Sequence, residues 1–357
     1  MKNKLYILFF FSLFAFTTNQ ISFDIPENWP APNYDFSKNP LDKNKIELGR
    51  FLFYEPMLSH NGVVSCASCH SPFSSFTHID HSLSHGIYDS IGTRNSPALI
   101  NLAWQKAFMW DEAINNLDMQ ALAPISHPSE MGSNIQEVVS KLNNNTFYKV
   151  LFYKAFNDSE ATGERTLKSI SQFLLTLVSA NSKYDRVLKG DESFTAQEQN
   201  GYLLFKANCS SCHKEPLFTS GEKANNGLPL DTTLNDFGRM KITHNSSDSL
   251  LFKIPTLRNI EFTYPYMHDG RFKKLSDVIN HYTKGIQHSK TLAAQLNNPI
   301  VLSSNEKVDL ISFLLTLSDK EFVFNPRFQY PRETFFLKQT AAQLSNQNQN
   351  QNKSKPN

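Results

Sequence analysis

Apolar residues recur at helical spacing along several stretches of the chain. Leu167, Ile170, Phe173, Leu174 and Leu177 follow helical spacing, and Val308, Leu310, Ile311, Leu314 and Leu315 form a second apolar run of helical character. Tyr202, Leu203 and Phe205 mark a third such segment. Two of these runs follow start signals. Ser303-Ser304-Asn305-Glu306 and Thr195-Ala196-Gln197-Glu198 read as capping boxes, in which a hydroxyl and a carboxylate satisfy the free N–H groups of a helix start. Alternating apolar and polar stretches are scarce. The pattern predicts a mainly α chain whose helices are joined by many long loops. A large bound group acting as core would account for order in domains so rich in loops.

The pattern also repeats. Phe173-Leu174-Leu175-Thr176-Leu177 returns 140 residues later as Phe313-Leu314-Leu315-Thr316-Leu317. Cys66-Ala67-Ser68-Cys69-His70 returns 143 residues later as Cys209-Ser210-Ser211-Cys212-His213. Two landmarks at nearly one offset predict two copies of one domain, over residues 25–190 and 191–335. The ends read differently. Residues 1–20 carry Lys2 and Lys4, then an apolar run from Leu5 to Phe16, then small and polar residues. That is the layout of a secretory signal peptide, with a membrane anchor as the alternative, and it predicts export. Residues 341–357 are almost devoid of apolar side chains and predict a disordered tail.

Composition changes this picture little. The 357 residues suffice for two domains, and 40% hydrophobic with 19% charged residues exclude wholesale disorder. Lys+Arg number 35 against 33 Asp+Glu, so the chain lacks the concentrated basic charge of a nucleic-acid binder. The 29 phenylalanines supply bulk for a large core or for lining a flat cofactor.

The four cysteines carry the chemistry. Cys-x-x-Cys-His is the attachment pattern for c-type haem. Positions i, i+3 and i+4 share one face of a helical turn, so both thiols can bond the haem vinyls while the imidazole reaches the iron. A zinc site would need its cysteine pairs far closer together. Two local disulfides would leave both histidines unexplained. The expectation is two covalent haem c groups, held by Cys66, Cys69 and His70 and by Cys209, Cys212 and His213. Such attachment takes place outside the bacterial cytoplasm, which agrees with the leader.

On these residues the chain resembles the bacterial di-haem cytochrome c peroxidases and their relative MauG, from about Asn39 to Asp319. The resemblance rests on Leu48-Gly49-Arg50, Ser65-Cys66-Ala67-Ser68-Cys69-His70, Arg94-Asn95-Ser96-Pro97, Trp110-Asp111, Pro128-Ser129-Glu130-Met131-Gly132, Pro255-Thr256-Leu257-Arg258-Asn259 and Pro265-Tyr266-Met267-His268-Asp269-Gly270. It implies two tandem cytochrome c-type domains. The N-terminal haem would reduce hydrogen peroxide, and the C-terminal haem would accept electrons from a small cytochrome c or cupredoxin-type protein. A homodimer is a further option.

The resemblance also implies residue roles. Glu130 matches a distal-pocket glutamate that shuttles protons during O–O cleavage; by itself it reads as an acidic residue in a helix's first turn. Gln120 matches a nearby pocket position. Trp110 matches a relay between the haems, where the plainer reading is a core aromatic. The family's Trp-Asp-Gly-Arg is here Trp110-Asp111-Glu112-Ala113, a departure in the adjoining turn. Asn95, with the carbonyls of Thr263 and Pro265, matches a calcium site; alone, Asn95 reads as an Asx-turn. His85, in a loop shared with His78 and His81, lies nearest the place of a resting-state ligand to the first haem. Tyr282 falls where the peroxidases carry an axial methionine and MauG a tyrosine, and Met267 is the alternative. Three functions follow as expectations: a periplasmic di-haem peroxidase, a MauG-like oxidase acting on a partner protein or other reductant, and a di-haem electron carrier.

Overall fold

Two long helix pairs frame the molecule, and each is built by the same devices. The computed structural model describes residues 19–332. The proposed leader, except Asn19 and Gln20, and the tail over 341–357 lie outside the described residues. The principal elements are α1 (Lys43–Phe53), α2 (Cys66–Cys69), α3 (Ile135–Asn143), α4 (Thr146–Phe156), α5 (Gly163–Leu175), α6 (Lys183–Lys189), α7 (Ala196–Asn208), α8 (Leu275–Asn280) and α9 (Ser304–Leu315). A two-stranded antiparallel ribbon pairs β1 (Lys223–Ala224) with β2 (Phe252–Lys253), Lys223 opposite Lys253. Mainly helical architecture with long connections is thus what the apolar spacing predicted. Among the described residues, no helix is long and apolar enough to cross a membrane.

Both predicted capping boxes form, at Thr195 with Glu198 and at Ser303 with Glu306. A third, Ser182 with Asp185, starts α6. The repeated Phe-Leu-Leu-Thr-Leu strings close α5 and α9. In each, the threonine hydroxyl donates to the phenylalanine carbonyl three residues back, Thr176 to Phe173 at 2.7 Å and Thr316 to Phe313 at 2.6 Å. Each closing helix crosses the opening helix of its copy at a glycine. Gly49 of α1 lies on the Ser169 carbonyl of α5, and Gly201 of α7 lies on the Asp309 carbonyl of α9. A side chain at either glycine would overlap backbone, which is why the helices approach so closely.

Each pair closes over an aromatic core, one around Phe53, Phe76, Phe152 and Phe173, the other around Tyr184, Phe205, Phe218 and Phe313. The cores interleave along the chain. Tyr184, N-terminal to the expected division at 190/191, belongs to the second core. Phe322, Val323 and Phe328 return from the far end to the first, where Tyr54 donates to the Phe328 carbonyl at 2.7 Å. Between them, the fully buried Asn259 donates to the hydroxyls of Ser75 and Ser179, both at 3.0 Å, and accepts from the Asp319 N–H at 2.7 Å.

Candidate haem sites

Both Cys-x-x-Cys-His strings form one helical turn, closed by the histidine N–H on the first cysteine's carbonyl, at 3.0 Å for His70 and 2.9 Å for His213. Each ring is then oriented from behind. His70 Nδ1 donates to the Phe76 carbonyl at 2.8 Å, and His213 Nδ1 to the Phe218 carbonyl at 3.1 Å. A carbonyl only accepts, so Nδ1 carries the proton and Nε2 keeps its lone pair. Both phenylalanines are in the left-handed backbone region, at φ 61° and φ 53°, and both are fully buried. This is an unfavourable conformation for a bulky residue, and core packing holds it there. The sequence carries no signal of it.

Burial lowers the pKa of both imidazoles to about 4, so they are neutral at physiological pH. Burial also pushes the Cys66 and Cys209 thiols up to about 12. The four cysteines are free, without a disulfide. Among the described residues no group of three or more His, Cys, Asp or Glu side chains could hold a metal ion. Uncharged thiols beside a neutral imidazole whose Nε2 is unprotonated suit thioether attachment and axial ligation of a haem, and not a thiolate metal site.

The second motif opens onto a cavity of about 440 Å³, a volume within the range of cofactor pockets. Leu310 and Leu314 of α9 give it apolar walls, and Met267 and Tyr282 both face it. Tyr282 lies in a π-helical turn, His281–Gly285, that continues α8. Burial pushes its phenol up to about 12. Asn95, Trp104 and Trp110 from the first half of the chain also line the cavity, so this pocket is completed by both domains. Lys253 reaches into it. Its amine donates to Gln105 Oε1 at 2.6 Å, and burial lowers its pKa to about 8. A cation in such a place favours an anionic group of the ligand.

Trp110 is buried but belongs to neither hydrophobic core. Its indole donates to the Asn95 carbonyl at 2.8 Å, and its own carbonyl accepts from Lys253 of β2 at 2.7 Å, which fixes it between the domains. In the turn after Trp110, Glu112 takes a positive φ of 56°. Arg239 from the second domain donates to the carbonyls of Asp111 and Glu112, at 3.0 and 2.7 Å.

Glu130 lies beside the first motif, close enough for its charge to act on Cys66 and Cys69. Its side chain keeps 40% of its surface, yet burial raises the carboxyl pKa, opposed by His127 at 3.8 Å. Gln120 donates to Met109 Sδ at 3.7 Å. The histidine loop packs on the Glu130 segment, where Ile87 N–H donates to the Glu130 carbonyl at 2.8 Å. In that loop His81 stacks on both His78 and His85, with ring centroids 5.8 and 4.6 Å apart. His85 Nδ1 is held by Asp89 at 2.6 Å, and His78 Nε2 is buried without a partner. Asn95, Thr263 and Pro265 all line the large cavity, with the Asn95 amide donating to the Ser82 carbonyl at 3.1 Å.

Two attachment turns in two helical domains define a di-haem c-type cytochrome. Comparison with known proteins places it further. The family model for di-haem cytochrome c peroxidase matches residues 43–193, and that for cytochrome c matches 198–318. The chain is 37% identical to methylamine utilization protein MauG of Methylorubrum extorquens over 304 residues, 82% of each chain. It is 35% identical to the cytochrome c551 peroxidase of Nitrosomonas europaea, over 82% of this chain and 84% of that one. Among solved structures, a MauG-like protein associated with microbial copper homeostasis matches with a TM-score of 0.79 and 31% identity, covering 87% of this chain and 99% of that one. The chain therefore belongs to the di-haem cytochrome c peroxidase and MauG family, whose members carry two haem c groups.

Proposed function

We propose that this protein is an exported di-haem peroxidase that reduces hydrogen peroxide to water: H2O2, two protons and two electrons give two waters. The observation that carries the proposal is the place of Glu130, on the segment that packs against the histidine loop beside the first attachment turn, where burial also raises its proton affinity. An electron carrier has no use for such an acid.

In this reading the bound haems supply redox-active iron for a two-electron reduction. The chain supplies the rest. Cys66 and Cys69, and Cys209 and Cys212, hold the two groups. His70 and His213 present Nε2, oriented through Nδ1 by Phe76 and Phe218. Glu130 takes a proton from one peroxide oxygen and returns it to the other. Gln120 lies in the same half of the chain as a further pocket residue. Trp110, clamped between the domains, relays electrons from the C-terminal side, where a small donor protein docks. Lys253, on the wall of the second cavity, would offer a cation to anionic groups of the second haem. His85 would cap the first site at rest, and Asn95, Thr263 and Pro265 would hold a calcium ion between the domains. The leader-like residues 1–20 support a periplasmic location.

The experiment is stopped-flow mixing of the half-reduced protein with hydrogen peroxide. Rapid decay of the N-terminal haem's Soret band is expected, and an inert band would leave only the carrier. Intact mass should exceed the apo-chain by two haems that resist acid–acetone extraction; a single or extractable haem would sink the assignment.

A second reading, oxidation of a partner protein in the manner of MauG, is favoured by Tyr282 on the wall of the second cavity. An anionic tyrosine ligand lowers a haem potential and favours higher oxidation states, whereas methionine raises it. If Tyr282 ligates, Tyr282→Phe shifts the C-terminal haem's spectrum and potential.

A further inference from the structure

Met267 and Tyr282 come from different segments, yet one side chain touches both. Asn226 Nδ2 lies 3.5 Å from Met267 Sδ and 3.4 Å from Tyr282 Oη. The amide is oriented by its other end, because Asn226 Oδ1 accepts the Leu228 N–H at 3.2 Å. The nitrogen, a pure donor, therefore faces the cavity, which Asn226 also lines. The backbone around it is pinned to the segment that carries Tyr282. His281 Nε2 donates to the Asn226 carbonyl at 3.0 Å. Asn225 donates to the hydroxyls of Ser289 and Thr291, both at 2.9 Å, and accepts from the Gly227 N–H at 2.8 Å. Gly227, at φ 73°, approaches Ile286 so closely that a Cβ there would meet its side chain. No sequence motif pointed to this asparagine.

We propose that Asn226 is a positioning residue that selects tyrosine over methionine at the open side of the second haem. The inference rests on the reading that the sixth ligand comes from Tyr282 or Met267. Its chemical basis is a difference between the two acceptors. An N–H bond to a phenolate oxygen is charge-assisted and about twice as strong as a neutral one, whereas a thioether is a weak acceptor. A fixed donor touching both groups therefore favours the oxygen, a strong acceptor, and gives the sulfur little. Because Leu228 and His281 hold Asn226 in place, the donor cannot follow whichever side chain moves. Asn226 is thus the residue that sets which of Tyr282 and Met267 serves the second haem.

The test uses the full-length holoprotein and reads the spectrum and reduction potential of the C-terminal haem. Asn226→Leu removes the donor at similar volume. Asn226→Asp keeps the shape and the Leu228 contact but turns the donor into an acceptor. Both are expected to raise the potential and convert the tyrosinate signature to a methionine one. Adding Met267→Leu to either should abolish the conversion. Haem content by mass confirms that each variant is loaded. If Tyr282→Phe alters the parent spectrum while both Asn226 variants keep the parent spectrum and potential, the selector role is overturned and tyrosine ligation stands. If Tyr282→Phe is silent, tyrosine ligation itself has failed and the selector role goes with it.

Discussion

Glu130 has two jobs in the proposed reaction, and its environment suits both. It must be ionised to take the first proton and must hold that proton long enough to deliver it. Burial raises its pKa above the ordinary glutamate value, and the His127 charge limits the rise. Turnover should therefore increase as pH climbs through this raised pKa and fall away below it. Glu130→Gln keeps the shape and removes the shuttle. General acid–base catalysis is worth about 10²–10⁴-fold, so the variant should lose peroxide turnover of that order together with the acidic limb of the profile. Stopped-flow rates with both haems still attached check this, and a near wild-type rate would make Glu130 a helix-start residue. At this scale legibility was uneven. The cysteines and attached histidines were readable because covalent attachment fixes their spacing. Phe76 and Phe218 were not, since a left-handed backbone at a buried phenylalanine is imposed by packing and leaves no mark in the residue type. Asn226 and Lys253 were silent for a related reason. Each acts through a partner far away in the chain, Tyr282 for one and Gln105 for the other.

Helices and their starts were the most readable level, because caps and apolar spacing are local. The structure adds why the two copies share particular letters. The threonine of Phe-Leu-Leu-Thr-Leu closes its helix on the phenylalanine carbonyl, and that phenylalanine packs at the glycine crossing. Gly201→Ala tests the crossing directly. The new Cβ would overlap the Asp309 carbonyl, which is backbone and cannot swing away, and would press on Phe313 Cβ at 2.8 Å. Overpacking of this kind costs about 1–3 kcal/mol. A lowered midpoint of thermal unfolding is expected, with Gly49→Ala behaving alike in the first copy. By contrast, Gly190→Ala meets no neighbour within 4 Å and adds only the strain of its φ of 83°. If Gly201→Ala costs no more than Gly190→Ala, the helices can part without loss, and the close crossing is not what joins them.

How the two copies join was the least legible part, because an interface between repeats has no periodicity of its own. Arg94 is its main charged clamp. Its guanidinium donates to both carboxylate oxygens of Asp236 in the second half, at 2.6 and 2.9 Å, and to Asp111 beside Trp110 at 2.6 Å. The Asp236 side chain is only 2% exposed and that of Arg94 19% exposed. Burial pushes the Asp236 carboxyl up, but the bonds and charge of Arg94 outweigh it and hold the group below the usual aspartate range. The sign follows. A depressed folded-state pKa contributes stability above the unfolded value near 3.9, and that contribution is lost as pH falls through the depressed value. Arg94→Ala should reverse this. With Lys241 at 3.6 Å as its remaining cationic neighbour, Asp236 keeps its burial and loses most of its compensation. Removing one partner of a buried pair costs about 3–5 kcal/mol, and the part-exposed Arg94 places the expected loss at or below the lower end. Thermal unfolding of the holoprotein between pH 7 and pH 3 separates the alternatives. The variant should melt lower at pH 7, and its acid loss should begin at higher pH than in the parent, because an unclamped buried carboxyl protonates earlier. Electron transfer between the haems should slow as well, since Asp111 anchors the turn that follows Trp110. Matching melting curves across that range would show that Arg94 contributes nothing to the union of the copies.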